Sequence, residues 1–234
     1  MKRTLIIIGS LLFTCQQLFA QDTLLNKYGL WVINSVDVYK KTIEGSYDKK
    51  MVALNVEIPN VIIDLKYAGT ENFMHEKLYR SARTTFMRLA AADALSAVQG
   101  ELRQQNLGMK VWDAYRPYSV TEKMWEPVKD DRYAADPKFG SGHNRGIAVD
   151  LTLVDLITNK ELEMGTGFDN FSDSAHHDFI DLSKKILENR KLLRSIMEKH
   201  GFKALESEWW HYYLPDIKKY ELLNLSFDDL YKLQ

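Results

Sequence analysis

The chain has 234 residues, 45% of them hydrophobic and 27% charged, with 31 basic residues against 32 acidic ones and a formal net charge of −1. That length and apolar content suit one domain with a sizeable core, and the balanced charge argues against a nucleic-acid or anionic-membrane partner. One cysteine, Cys15, excludes a disulfide framework.

Lys2-Arg3, an apolar run from Thr4 to Phe13, and Leu18-Phe-Ala20 before Gln21 have the order of a secretory signal. Residues 1–20 are therefore expected to be cleaved near Ala20, and the mature protein to work in the periplasm. The run is too short to span a membrane. Lipoprotein anchoring at Cys15 is the poorer alternative, because Thr14 is bulky for such a signal. Cleavage would also remove the only thiol, and losing Lys2 and Arg3 from 31 basic residues leaves 29 against 32 acidic ones, a charge of −3. No later stretch reaches membrane-spanning length, and neither a repeat nor a Gly/Ser/Pro-rich linker divides the chain.

Residues 21–57 read as an N-terminal extension without an assigned role, in which Trp31, Val32 and Tyr39 suggest an amphipathic helix packed on a domain of residues 58–234. A strand is expected at 61–67. Met87, Leu89, Ala90, Ala94, Leu95, Val98 and Leu102 recur near helical spacing over 84–106, with Gly108 as the stop. A strand at 109–114 leads to Arg116-Pro117, where the proline restricts the arginine's backbone. Ser119 and Glu122 stand at capping-box spacing for a short helix over 119–128.

The segment Ser141-Gly-His143-Asn-Arg-Gly146-Ile-Ala148-Val-Asp150 carries the first chemistry. The strand expected at 148–153 puts Val149, Leu151 and Leu153 on one face and Asp150 on the other. His143 lies seven residues from Asp150, so the two meet only if His143 sits on a loop folding back over the strand, with Gly142 and Gly146 supplying the turn. Phe168-Asp169-Asn170 reads as a turn after Gly165 and Gly167. His176 and His177 diverge as neighbours and are not expected to chelate one ion. A helix is expected over 183–200, with His200 complementing its C-terminus before Gly201, then a strand from 202 toward Glu208. Glu208 and His211, three apart in Glu208-Trp-Trp-His211, come together on a helical turn but not on a flat strand. Two imidazoles and a carboxylate with a second carboxylate nearby make a metallohydrolase's set: a catalytic zinc takes three such ligands and lowers the pKa of the water it carries to about 7.

Asp64-Leu-Lys-Tyr67-Ala with Asn72-Phe73, Trp112-Asp-Ala-Tyr-Arg116-Pro117, the Ser141–Asp150 segment, Met164-Gly-Thr-Gly-Phe-Asp169, His176-His177 and Glu208-Trp-Trp-His211-Tyr follow one another in order. In these blocks the chain resembles the D-alanyl-D-alanine dipeptidases, the VanX-type zinc D,D-dipeptidases, over roughly residues 64–214. The resemblance implies an α+β single domain whose mostly antiparallel sheet carries the zinc site and is flanked by helices. It implies one zinc ion per chain on His143, Asp150 and His211, with Glu208 as catalytic base and Arg116 stabilising the tetrahedral intermediate. Asp169 matches a carboxylate near the substrate's amino group, Tyr67 and Ser141 match pocket positions, and Tyr79 matches a further pocket tyrosine only across a gap. The implied reaction is hydrolysis of the small dipeptide D-Ala-D-Ala, in cell-wall peptide turnover or salvage. A zinc D,D-carboxypeptidase acting on longer peptidoglycan stems and a non-catalytic wall-binding protein are the alternatives. Oligomeric state is left open.

Overall fold

The computed structural model describes residues 25–234, so the expected signal segment lies outside the described residues. Among them, no helix is long and apolar enough to cross a membrane. In chain order, β1 (Val32–Ile33), α1 (Val36–Ile43), β2 (Met51–Ala53) and α2 (Leu54–Glu57) precede β3 (Ile62–Ile63) and β4 (Phe86–Arg88). Then come α3 (Leu89–Arg103), β5 (Leu107–Asp113), α4 (Tyr118–Val128), β6 (Ala148–Asp155) and β7 (Lys160–Glu161). The chain closes with α5 (Lys184–Lys199), β8 (Lys203–Leu205), β9 (Glu208–Tyr213), β10 (Leu222–Leu223) and α6 (Phe227–Tyr231).

The main sheet runs β3-β5-β6-β9-β8, with β7 added to the far end of β6. Only β3–β5 is parallel in it. This is an α+β fold with a mostly antiparallel sheet. The alternation expected for β6 holds: Val149, Leu151 and Leu153 enter the main core with Leu95 and Val98 of α3 and Leu193, Ile196 and Met197 of α5. Leu95 is fully buried, so Leu95→Ala is expected to cost about 2–5 kcal/mol of stability by leaving a cavity, measurable by denaturant unfolding. A cost near zero would show that this face does not pack as described.

Three local expectations are corrected. The helix expected from residue 84 begins at Leu89, because Phe86–Arg88 pair with Met51–Ala53 as an antiparallel ladder, and tertiary pairing overrides helical spacing there. Ser119 caps nothing: α4 starts at Tyr118 with Pro117 as its N-cap and no side-chain cap. The expected strand at 61–67 shortens to Ile62–Ile63 and gives way to a 3-10 turn over Lys66–Ala68. By contrast, α5 starts as expected, with Ser183 accepting from the Ile186 N–H at 3.4 Å and His200 at its C-terminus.

The N-terminal segment is built into the domain. The expected helix does pack through Val38 and Tyr39, but it starts at Val36: Val32 lies in β1 and Trp31 is exposed, while the Tyr39 hydroxyl accepts from the Met51 N–H at 2.6 Å. β1 pairs with β10, bringing the two ends of the described chain together in a second core with Phe86, Tyr115 and Phe227.

Candidate active site

Asp150 and His211 are directly opposed in the β6–β9 ladder, and opposed residues of an antiparallel pair share one face with their Cβ atoms about 5 Å apart. On the other side of β6, a bulge in β5 between Val111 and Asp113 sets Asp113 opposite Asp150. Bulges re-aim side chains in this way. Asp113, Asp150 and His211 thus form one row across three strands, on a sheet whose other face is the core.

His143 reaches the row from the loop before β6. The Gly146 N–H donates to the His143 carbonyl at 3.1 Å and the Ile147 N–H to that of Gly142 at 3.0 Å. Gly146 has φ +70°, and a Cβ there would lie 2.7 Å from Met51 Sδ. At Gly142 the need is close approach alone, since an added Cβ would lie 2.8 Å from that of Ala148. His143 Nδ1 lies 2.7 Å from the Ala114 carbonyl; a proton held there leaves Nε2 free as a ligand. That Nε2 is 3.2 Å from His211 Nδ1 and 3.3 Å from Asp150 Oδ2, while His211 Nδ1 is 2.9 Å from Asp150 Oδ1.

Three electron-pair donors this close call for a cation, and among the described residues these three side chains could hold a metal ion. Ligand atoms around a tetrahedral zinc are separated by about 3.3 Å when each bond is about 2.0–2.1 Å, so the observed spacing fits. Burial opposes ionisation of Asp150, but the two imidazoles outweigh it and hold the carboxyl below its ordinary range. Glu208 stands beside the ligands, Oε2 at 3.8 Å from His211 Nδ1. Burial raises its carboxyl, with the charges of Asp150 and Asp169 adding and that of His211 opposing.

The proximity of Glu208 and His211 has a different cause from the helical turn expected. Both lie in β9, where Leu205 pairs with Glu208 while Ala204 pairs with Tyr212. This register shift breaks the period-2 alternation of β9, so residues three apart serve the same cavity.

Arg116 follows β5 and is buried. Its Nε and Nη2 donate to Asp113 Oδ2 at 3.0 and 2.8 Å, its guanidinium lies over the Tyr67 ring at 5.1 Å, and Nη2 is 3.8 Å from Asp150 Oδ2. This charge is fixed rather than solvated. Asp169 occupies the turn expected for it, in the left-handed region at φ +55°. The Tyr67 hydroxyl donates to it at 2.9 Å and the Phe73 N–H at 3.3 Å. Burial keeps Tyr67 protonated and able to donate.

These groups face one cavity of about 340 Å³, lined by Tyr67, Arg116, Ser141, Asp169 and Glu208 together with His143, Asp150 and His211. That volume is at the small end of ligand pockets, about 300–1,000 Å³.

The family model described as Peptidase_M15, D-ala-D-ala dipeptidase, matches residues 47–230. This chain belongs to that family. A D-alanyl-D-alanine dipeptidase of Escherichia coli (strain K12) is 36% identical over 181 residues, 76% of this chain and 91% of the relative. Dipeptidases of the same description from Streptomyces coelicolor and Enterococcus faecalis are 34% and 31% identical, each match covering 65% of this chain and 85% of the relative.

Within this D-Ala-D-Ala dipeptidase family member, one expected pocket residue is displaced. Tyr79 does not line the cavity; its hydroxyl donates to Asp113 at 2.7 Å from behind, so it steadies the carboxylate that holds Arg116. Asp113 itself went unassigned at the sequence level, although a charge inside the apolar strand 109–114 is its signal. Asn144 was also missed. Fully buried, it donates to the Arg116 carbonyl at 2.9 Å and to Thr121 Oγ1 at 2.8 Å, binding the His143 loop to α4. Ser141 accepts from the Asn144 N–H at 3.1 Å, so its hydroxyl shapes that loop as well as the cavity wall. His177 stays apart from the ligand group: its ring packs against Tyr212, and burial lowers its pKa to about 4. His176 contributes a carbonyl to Arg190.

Proposed function

We propose that this chain is a zinc D,D-dipeptidase that cleaves D-Ala-D-Ala into two D-alanines, with one zinc ion on His143, Asp150 and His211. The observation that carries the reading is one small cavity whose lining brings together three side chains able to hold a metal, Glu208, and a half-buried carboxylate, Asp169. A dipeptide with a free amino group spans such a site. Zinc would supply Lewis acidity toward the scissile carbonyl and a water of lowered pKa. Glu208 takes the water's proton and passes it to the leaving amine. Arg116, held by Asp113, stabilises the oxyanion as the carbonyl becomes tetrahedral. Asp169 pairs with the substrate ammonium, and Tyr67 and Ser141 shape the pocket around it.

The test is release of D-alanine from D-Ala-D-Ala by protein stripped of metal and titrated with zinc. Activity is expected to appear as zinc approaches one equivalent and to vanish with a chelator. Equal turnover with and without metal sinks the reading, and faster release from a pentapeptide stem than from the dipeptide would make it a carboxypeptidase.

The Asp169 carboxyl gives a pH signature. Burial raises it from an ordinary 3.8 to about 7, against the pull of the Tyr67 and Phe73 donors. Only the ionised form pairs with an ammonium, so kcat/KM for the dipeptide is expected to fall about tenfold per unit as pH drops below about 7. Asp169→Asn is expected to be weaker overall and to lose that limb of the profile. A limb unchanged in the variant belongs to another group. The sign for stability is opposite: between 3.8 and about 7 the unfolded chain has lost a proton that the folded chain keeps, so this group's contribution declines as pH rises through that window.

We further propose, from the Lys2-Arg3 start, the apolar run and Ala20, that residues 1–20 direct export and that the enzyme works on wall-derived dipeptide in the periplasm. Unprocessed, full-length protein in the cytoplasmic fraction would overturn this.

A further inference from the structure

The loop that presents Asp169 is fastened at both ends and at its tip. Arg190 of α5, itself buried, donates to the carbonyls of Met164, Ser174 and His176 at 2.7, 2.9 and 3.1 Å, so one guanidinium gathers the two ends of the loop. At the tip, two residues past Asp169, the Phe171 ring stacks on Tyr133 with centroids 4.9 Å apart and planes 25° apart. Its other neighbour is Phe73, at 5.2 Å.

Phe73 and Tyr133 both line the cavity, whereas Phe171 does not. They come from different stretches of chain, Phe73 after the 3-10 turn at Lys66–Ala68 and Tyr133 after α4. Phe73 is also the residue whose N–H holds Asp169. Phe171 therefore joins two walls of the cavity from outside, beside the carboxylate proposed to receive the substrate's amino group.

We infer that Phe171 is a specificity-determining residue: by tying the Phe73 wall to the Tyr133 wall it closes the cavity beyond Asp169 and excludes peptides extended at the amino end. Asp169 by itself discriminates against a blocked amino group only through a lost ion pair, and an amide N–H can still donate to a carboxylate. A steric wall adds a second filter to that electrostatic one. The inference rests on the dipeptidase reading above.

The experiment compares hydrolysis of D-Ala-D-Ala and N-acetyl-D-Ala-D-Ala by the zinc-loaded wild type, Phe171→Ala and Tyr133→Ala, which break one stack from either side. The Arg190 anchors are untouched in both variants, so the loop ends stay pinned; thermal melting checks the fold. Phe171→Ala, whose ring lies outside the cavity, is expected to keep dipeptide kcat within a few-fold, and both variants are expected to raise the ratio of kcat/KM for the blocked dipeptide to that for the free one by roughly tenfold or more, the scale of a hydrophobic pocket's steric discrimination. Continued exclusion of the blocked dipeptide by both variants would overturn the inference and leave the dipeptidase reading intact, as would a folded Phe171→Ala variant inactive on both peptides. No turnover of D-Ala-D-Ala by the wild type would instead remove the parent reading.

Discussion

Glu208→Gln is expected to lower kcat on D-Ala-D-Ala by about 10²–10⁴, the usual contribution of a positioned general base, while zinc content stays at the wild-type level. The amide is nearly isosteric and keeps the packing, but it cannot accept the proton that attack requires or return it to the leaving amine. Glu208 suits the role because it touches the ligand group without belonging to it, 3.8 Å from His211 Nδ1. Burial also raises its proton affinity, which favours uptake of a proton from a water of lowered pKa. Turnover and bound metal must be measured together. Near-normal kcat in a zinc-replete variant rules out the base assignment, whereas loss of zinc would make Glu208 a ligand.

Arg116→Ala is expected to reduce kcat/KM by about 10²–10³, the effect of deleting one oxyanion-stabilising donor. The same argument extends to Asp113, whose Oδ2 accepts both Nε and Nη2 of Arg116. Asp113→Asn keeps the volume but weakens that grip, so its loss is expected mainly in kcat and to be smaller than that of Arg116→Ala. Groups that act as a unit are non-additive. The double variant is therefore expected to be little worse than Arg116→Ala alone, in steady-state kinetics of all three variants. Fully additive losses would mean that Asp113 acts independently of the guanidinium.

The candidate ligand set was legible because its chemistry is carried by residue type and local spacing, and the structure brings its three side chains together. His143, Gly146 and Asp150 fall within one loop-and-strand unit, and the alternation of Val149, Leu151 and Leu153 already turned Asp150 away from the core. Helix α5 was legible for the same reason, since its cap and apolar stripe are local. Where local spacing competed with pairing, the reading failed. Phe86–Arg88 continue a helical apolar pattern yet pair with β2, and Glu208 and His211 have helical separation yet lie in a strand whose register shifts.

By itself, then, the sequence determined the family and the α+β class, and it singled out His143, Asp150 and His211 as candidate ligands. The tertiary structure decided which of those residues touch. The row Asp113, Asp150, His211 exists because β5 bulges against β6 and β6 pairs in one register with β9. Tyr67 meets Asp169 across 102 positions of chain, and the Tyr79 hydroxyl reaches Asp113 instead of the cavity lining. Such contacts depend on strand register and loop closure, which sum many weak long-range terms, and no local pattern of residues encodes that sum.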